Sequence, residues 1–393
     1  MRPRSQTERL ILPGDGLAGA MAGRVWRPDA KGPSIVSIKA EGVIDVSADF
    51  PTMRDLCEQP SPAEALRSAR GSPLESLSDI LANTPCERRA RGRGHLLARI
   101  DPQAIKAASV AFARSLLERV IEERSQGMPD RAQAIRESVA AAIGGELRGF
   151  TPGSPAAMRL KEALIEGGAW SQCLEVGIGP DTEVFTKGQP MSAVGCGADA
   201  GFHSASLWNN PEPEVALVVA SSGQVVGATL ANDVNLRDFE GRSALLLGKA
   251  KDQNASRAVG PFLRFFDATF SLDDVRAATV ALTVEGEDGF LLEDVSSMAE
   301  ISRDPVELLE QTLGPSHAYP DGLILLLGTM FAPVASRGEP GMGFTHRPGD
   351  VVTIGTEKLG RLINRMRPCE ECERWTFGIG ALMRNLGRRG LIR

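Results

Sequence analysis

The run WNNPEPEVALVV, continued by SSGQ and VVGATLANDVNLRD, constrains the fold more than any other part of the chain. VALVV and VVGATLA are short apolar runs, and the Ser-Ser-Gly between them is a turn signal, so the stretch predicts a β-hairpin. The hairpin returns Asp233 towards Glu212 and Glu214. These glutamates stand two residues apart and on a strand share one face. Three carboxylates converging in a buried place would have to take up protons unless a divalent cation neutralises them. All-oxygen ligands, with no His or Cys near them in sequence, favour magnesium, manganese or calcium over zinc or iron. Acids spaced two apart on a strand are usually a solvated face; Asp233 and Lys251 in register with them shift the balance towards a metal site.

Composition narrows the function classes. A net charge of −6 and the lack of a long Lys/Arg run argue against nucleic acid as a partner, because neutralising phosphates takes clustered cations. No apolar stretch approaches the ~20 residues that span a bilayer, and MRPRSQTERL lacks the apolar core of a secretion signal. No membrane partner and a cytoplasmic location are therefore expected. The cysteines at 57, 86, 173, 196, 369 and 372 show no disulfide framework and are expected as reduced thiols. Cys369 and Cys372 form a lone C-x-x-C pair, expected in a surface turn. The four histidines, at 95, 203, 317 and 346, are isolated and expected in turns or the core. The Gly-rich runs GIGPD and GCGADAG lack a strand-to-helix context, so no nucleotide cofactor is implied.

Along the chain, residues 10 to 50 read as a small antiparallel sheet, and PTMRDLCEQ, SPAEALRSA and SPLESLSDILA as short helices. The Pro- and Arg-rich TPCERRARGRG suggests a boundary, with an amino-terminal α/β module over 1–95 and a catalytic domain over 96–393. HLLARI reads as a strand. LLERVIEER, RAQAIRESVAAAIGG and SPAAMRLKEALIEGGAW read as helices, the last two ending on Gly pairs and covering the site. After Trp170 the expected strands are CLEVGI, EVFTK, VALVVA, VVGATLA, ATVALTVEG, FLLEDV, DVVTIGT and RLINRM, with DPVELLEQTL as a helix. This is an α+β chain with a β-rich domain decorated by helices.

PEPEV, then NDVNLRD, then Lys251 nine residues before Gly260-Pro261, resembles the signature of the fumarylacetoacetate hydrolase superfamily. The longer stretch NDVNLRDFEGRSALLLGKAKDQNASRAVGPF, with DGLILLLGTMFAP and GFTHRPGD downstream, is similar to its 2-keto-3-deoxy-pentonate dehydratases, of the D-xylonate type. The similarity runs from about Leu97 to the C-terminus. It implies a mixed β-roll with covering helices, a magnesium ion (manganese or calcium as substitutes) on Glu212, Glu214 and Asp233, and a homodimer or homotetramer. The implied substrate is a small 2-oxo sugar acid, gripped through its carboxylate and keto oxygen and activated for removal of a C3 hydrogen.

The leaving group decides between two reactions. A C4 hydroxyl leaves as water and gives the semialdehyde of 2-oxoglutarate, whereas a C4 carbonyl invites hydrolysis of the C–C bond. Family hydrolases carry a water-activating His and Glu three apart; here FARSLLE has Ser115 in place of the His and keeps Glu118. A serine hydroxyl cannot act as that base at neutral pH, which favours dehydration over cleavage of an acylpyruvate-like acid. Ser115 and Glu118 are then expected to touch substrate. By resemblance, Glu183, 29 residues before Glu212, is the candidate acid or base. Lys251 occupies the position of the site lysine, with a pKa that a neighbouring cation would lower. Thr329 matches a substrate-facing loop threonine. Arg237 either contacts substrate or orients the ligands through salt bridges.

Overall fold

The computed structural model describes residues 11–143, 151–168, 170–331, 333–337 and 343–392. At its centre lies the expected hairpin: Pro213–Val219 and Val225–Asp233 run antiparallel across a turn in which Gly223 takes φ +87°. Leu323–Leu326 flanks one strand and Arg257–Phe265 the other, so neither hairpin strand is an edge. Burial on both faces accounts for their near-continuous apolar sequence.

The hairpin belongs to an eleven-stranded sheet. From one edge the order is Ser72–Pro73, Gly42–Asp45, Gly32–Lys39, Met21–Arg27, Arg257–Phe265, the hairpin, Leu323–Leu326, Ala104–Ser109 and Glu183–Gly188, with His95–Leu97 beside Met21–Arg27. Met21–Arg27 pairs directly with Arg257–Phe265, so the sheet runs unbroken across residue 95, where the sequence suggests a boundary. A second sheet of five strands orders Leu291–Ser297, Thr279–Glu285, Val351–Thr356, Gly360–Pro368 and Asp199–Phe202. Two mixed sheets with covering helices give the expected α+β architecture.

The cover is built by Ala113–Arg124, Pro129–Ile143, Pro155–Glu166 and Gln172–Ile178. Leu116, Val120, Ile121, Leu164, Leu174 and Ile178 close a separate apolar cluster among them, joined by Trp208. The Gly pair expected to end Pro129–Ile143 lies outside the described residues. CLEVGI, expected as a strand, is the helix Gln172–Ile178. Ser171 caps it by accepting from Leu174 N–H at 3.3 Å, and Leu174 and Ile178, four apart, face the cluster. Gly177 lets Leu116 approach, since a methyl group there would meet it at 2.7 Å.

Arg257–Phe265 was not expected as a strand because RAVGPFLRF neither alternates nor avoids proline. The ladder shifts register opposite Pro261, and there the Thr229 hydroxyl donates to the carbonyls of Gly260 and Phe262 at 3.2 and 2.9 Å. Cys369 and Cys372 stand in the expected turn, yet both are buried, and burial first, then Glu370 for Cys369 and Cys369 itself for Cys372, pushes each thiol up to about 12. Among the described residues no helix is long and apolar enough to cross a membrane.

Candidate metal centre

Sheet register places the carboxylates. Asp233 N–H donates to Glu212 C=O at 3.0 Å, so these residues sit opposite each other, and Glu214 follows two positions along the same face. One carboxylate oxygen from each of the three lies within 4.8 Å of the others. All three side chains are 1% exposed. The loop after Leu323–Leu326 closes on them: Gly328 N–H donates to Glu214 at 2.8 Å and the Thr329 hydroxyl at 3.3 Å. Gly328 has φ +97°, a conformation that turns its amide to the carboxylate and favours glycine.

The three carboxylates are not equivalent. Burial works to raise Glu212, but the charges of Arg119, Lys251 and Lys187 outweigh it and bring the carboxyl to about 2. Lys251 Nζ donates to Glu212 at 2.6 Å, and Arg119 pairs with the other oxygen. Among the described residues no such cation touches Glu214; burial, then the charges of Asp233 and Glu212, drive its pKa well above the usual range. Asp233 Oδ1 has the Lys187 ammonium against it and Lys251 at 3.4 Å. Three buried carboxylates whose oxygens converge, with Glu214 paired to no cation among the described residues, fit a hard cation ligated by oxygen.

Lys251 is the lysine that points inward, 2% exposed, while Lys249 stays outside over the Phe239 ring. The two part because they lie on the short helix Leu247–Lys251 rather than on a strand. The carboxylates around Lys251 act in the opposite direction to a neighbouring cation. Burial pulls it down, but Asp233, Glu212 and Glu240 outweigh burial and hold it as an ammonium above its usual range. The lowered lysine is Lys187, brought to about 8 by burial, against the pull of Asp233 and with the repulsion of Lys251.

Lys187, Arg119 and Glu240 escaped the sequence reading. The signal for Lys187 was EVFTK itself, which aims a lysine at Asp233 from Glu183–Gly188. Arg119 adjoins Glu118 on Ala113–Arg124 and joins Glu212 to Glu122 and Glu240. Burial, then the charges of Glu212 and Glu122, raises Glu240 to about 7 against the pull of Arg119 and Lys251.

The remaining expected site residues divide. Thr329 and Lys251 meet the carboxylates directly. Glu183 opens its strand, two residues before Phe185, whose ring lies 5.6 Å from Lys251 Nζ. Among the described residues no hydrogen bond or ion pair links Glu183 to the cluster. Ser115 is buried and donates to Phe112 C=O at 2.9 Å. Glu118 accepts from Arg136 at 3.0 and 2.8 Å and from Arg237 at 2.8 Å. Burial would raise this carboxyl, but the two guanidiniums hold it below its usual range. Arg237 is tied to Glu118, to Glu122 at 2.7 Å and to Pro333 C=O at 3.3 Å, with Trp208 stacked 4.3 Å away. His346 packs between Phe202 and Phe344, its Nδ1 3.4 Å from Asp350, as a core residue does.

Residues 189–367 match the family model described as Fumarylacetoacetate (FAA) hydrolase C-terminal. Over 188 residues the chain is 31% identical to 2-dehydro-3-deoxy-D-arabinonate dehydratase of Saccharolobus solfataricus, covering 47% of this chain and 58% of that one. Over 182 residues it is 30% identical to a Haloferax volcanii protein described as "Probable 2-keto-3-deoxyxylonate dehydratase", covering 46% and 59%. The chain thus spans somewhat more than half the length of these curated relatives. Its fold resembles apo 2-keto-3-deoxy-D-arabinonate dehydratase with a TM-score of 0.61 at 19% identity, covering 88% of this chain and 99% of that one. The same enzyme complexed with magnesium and 2,5-dioxopentanoate gives 0.59 at 18% identity, with the same coverage. Glu212, Glu214, Asp233 and Lys251 all fall inside the segment, residues 189–367, that matches the Fumarylacetoacetate (FAA) hydrolase C-terminal model.

Proposed function

We propose that this chain is a magnesium-dependent hydro-lyase that removes water from a 2-keto-3-deoxy-pentonate of the D-xylonate or arabinonate type, giving 2,5-dioxopentanoate in oxidative pentose breakdown. The observation that carries this reading is the buried trio Glu212, Glu214 and Asp233, edged by Lys251 and Thr329, beside a Ser115–Glu118 pair unfit to activate water. Glu212, Glu214 and Asp233 would hold a hard divalent cation, which would supply Lewis acidity to the 2-oxo acid and acidify C3; manganese and calcium have the same oxygen-ligand preference.

The chain's own groups do the rest. Lys251, kept as an ammonium, offers a cation to the substrate carboxylate. Thr329 supplies a hydroxyl for a carboxylate oxygen. Glu183 exchanges the proton: it takes one from C3 or gives one to the hydroxyl leaving C4, and the resulting 5-hydroxy-2-oxo-3-enoate isomerises, by loss of a C5 hydrogen and protonation at C3, through the C4=C5 enol to the aldehyde. Ser115 faces the substrate hydroxyls once its bond to Phe112 is released. Glu118 and Arg237 support the site by holding Ala113–Arg124 against it, and Arg119 and Lys187 steady Glu212 and Asp233.

Glu118 is a poor base with two guanidiniums on it, and Ser115 is no base at all, which supports elimination over hydrolysis. The free cysteines accord with a cytoplasmic enzyme. The outer strand Leu291–Ser297, with Leu291 and Val295 exposed, offers a face for a homodimer or homotetramer.

The test is incubation of the purified protein with magnesium and 2-keto-3-deoxy-D-xylonate or its arabinonate epimer, following 2,5-dioxopentanoate, with EDTA and an acylpyruvate in parallel. Dehydration that EDTA stops is the expected result. Acylpyruvate cleavage without dehydration, or inertness towards both classes, overturns the reading.

A further inference from the structure

A cavity of about 440 Å³ shares no residue with the carboxylate cluster. It forms where Met21–Arg27 pairs with His95–Leu97, beside the Arg-rich passage TPCERRARGRG. Register sets Trp26 opposite His95 and Arg24 opposite Leu97, so all four share one face of the sheet. The segment from Glu373 to Phe377 completes the wall. Phe377 meets Trp26 edge-on at 5.1 Å, and Trp375 lines the cavity while remaining 42% exposed.

The lining charges do not balance. Arg89 pairs with Glu373 at 2.6 Å, Arg93 with Glu75 at 2.8 Å, and Asp199 with Arg365 at 2.8 Å. Arg24 is buried, donating to Ala98 C=O at 3.1 Å and lying 3.5 Å from Asp101. Arg91 and Arg374 also line the cavity and are exposed, and among the described residues neither has a carboxylate or carbonyl partner. His95 stacks on Trp26 at 6.2 Å; burial first, then Arg89, pushes it down to about 3, so it adds a ring rather than a charge.

Two uncommitted guanidiniums suit the oxygens of a phosphate, and a wall of indole, imidazole and phenyl rings suits a planar heterocycle. The volume lies within the roughly 300–1,000 Å³ usual for small-molecule sites. We propose that this cavity binds a nucleoside monophosphate, with the phosphate on Arg91 and Arg374 and the base against the Trp26 and Trp375 side.

Calorimetric titration of the full chain tests this with three probes: AMP, adenosine and inorganic phosphate. AMP should bind saturably at one site per chain, and each fragment at least about tenfold more weakly, because each keeps only half of the contacts. Arg91→Ala with Arg374→Ala should weaken AMP by about tenfold or more, as should Trp375→Ala, with circular dichroism and melting temperature unchanged. No saturable AMP binding up to about 5 mM would overturn the proposal, since a specific site of this kind binds more tightly. So would phosphate binding as tightly as AMP, or AMP affinity unchanged in the arginine variant.

Discussion

Replacing Glu214 by Gln should stabilise the metal-free protein and at the same time remove its response to magnesium. Among the described residues no cation touches Glu214, and burial with Asp233 and Glu212 drives its pKa well above the ordinary 4.5. A folded-state pKa raised in this way favours the fold below the ordinary value, and that contribution is lost as pH climbs. At pH 7 the cost is bounded by proton uptake: about 1.4 kcal/mol for each of ~2.5 pH units, or about 3.5 kcal/mol. Glutamine has no proton to take up, so the variant recovers up to that amount, less whatever its amide loses in fitting beside Glu212 and Asp233. With unfolding entropy of roughly 2 cal/mol/K per residue, a chain this long gains about 1 °C per 0.8 kcal/mol, so the melting temperature without metal should rise by up to about 4 °C. Magnesium at about 100 times its Kd should stabilise the wild type by about 2.7 kcal/mol, or about 3 °C, and the variant hardly at all. Differential scanning calorimetry with EDTA and with magnesium, at pH 5 and pH 7, reads all of these. The gap between variant and wild type without metal should narrow at pH 5. A variant that melts lower than wild type in EDTA, or that keeps the magnesium shift, would refute the argument.

Other expectations follow from the same packing. Arg237→Lys loses the fork that spans Glu118 and Glu122, and because Arg136 and Arg119 still serve those acids the loss should be about 2 kcal/mol, or about 2–3 °C in melting temperature; an unchanged melting temperature with a raised KM would make Arg237 a substrate contact instead. Ser115→Ala removes only a bond to Phe112 C=O within the fold and should act mainly on KM or on epimer preference; complete loss of kcat would show that the serine takes part in the chemical step. Asp350 is pushed upward by burial, but His346, Arg337 and the Arg347 N–H outweigh it and bring it to about 2. Its depressed value stabilises the fold above the ordinary 3.8 and is lost as pH falls towards 2, so Asp350→Asn should cost about 2 kcal/mol in urea unfolding at pH 7, a gap that closes over that window.

The site was legible in the sequence wherever local pattern set it. Two short apolar runs and a Ser-Ser-Gly turn were enough to bring Asp233 opposite Glu212, and the spacing of two put Glu214 on their face. The missed residues reach the site through tertiary packing. Arg119 arrives from a covering helix whose docking depends on Leu116, Val120 and Ile121, and nothing in LLERVIEER tells an arginine that pairs with a buried glutamate from a solvated one. Lys187 belongs to a strand whose pairing with Ala104–Ser109 is non-local. The helix Gln172–Ile178 was hidden by β-favouring Val and Ile, although its Ser171 cap was present in the sequence. Arg257–Phe265 was hidden by a proline inside a fully buried strand, where a bulge absorbs the missing donor.

The most direct test of the metal centre is anomalous diffraction from crystals of this protein grown with manganese. One strong peak per chain is expected, bonded at roughly 2.0–2.2 Å to oxygens of Glu212, Glu214 and Asp233 and absent in the Glu214→Gln variant. A peak elsewhere, or no ordered manganese at the trio, would contradict it.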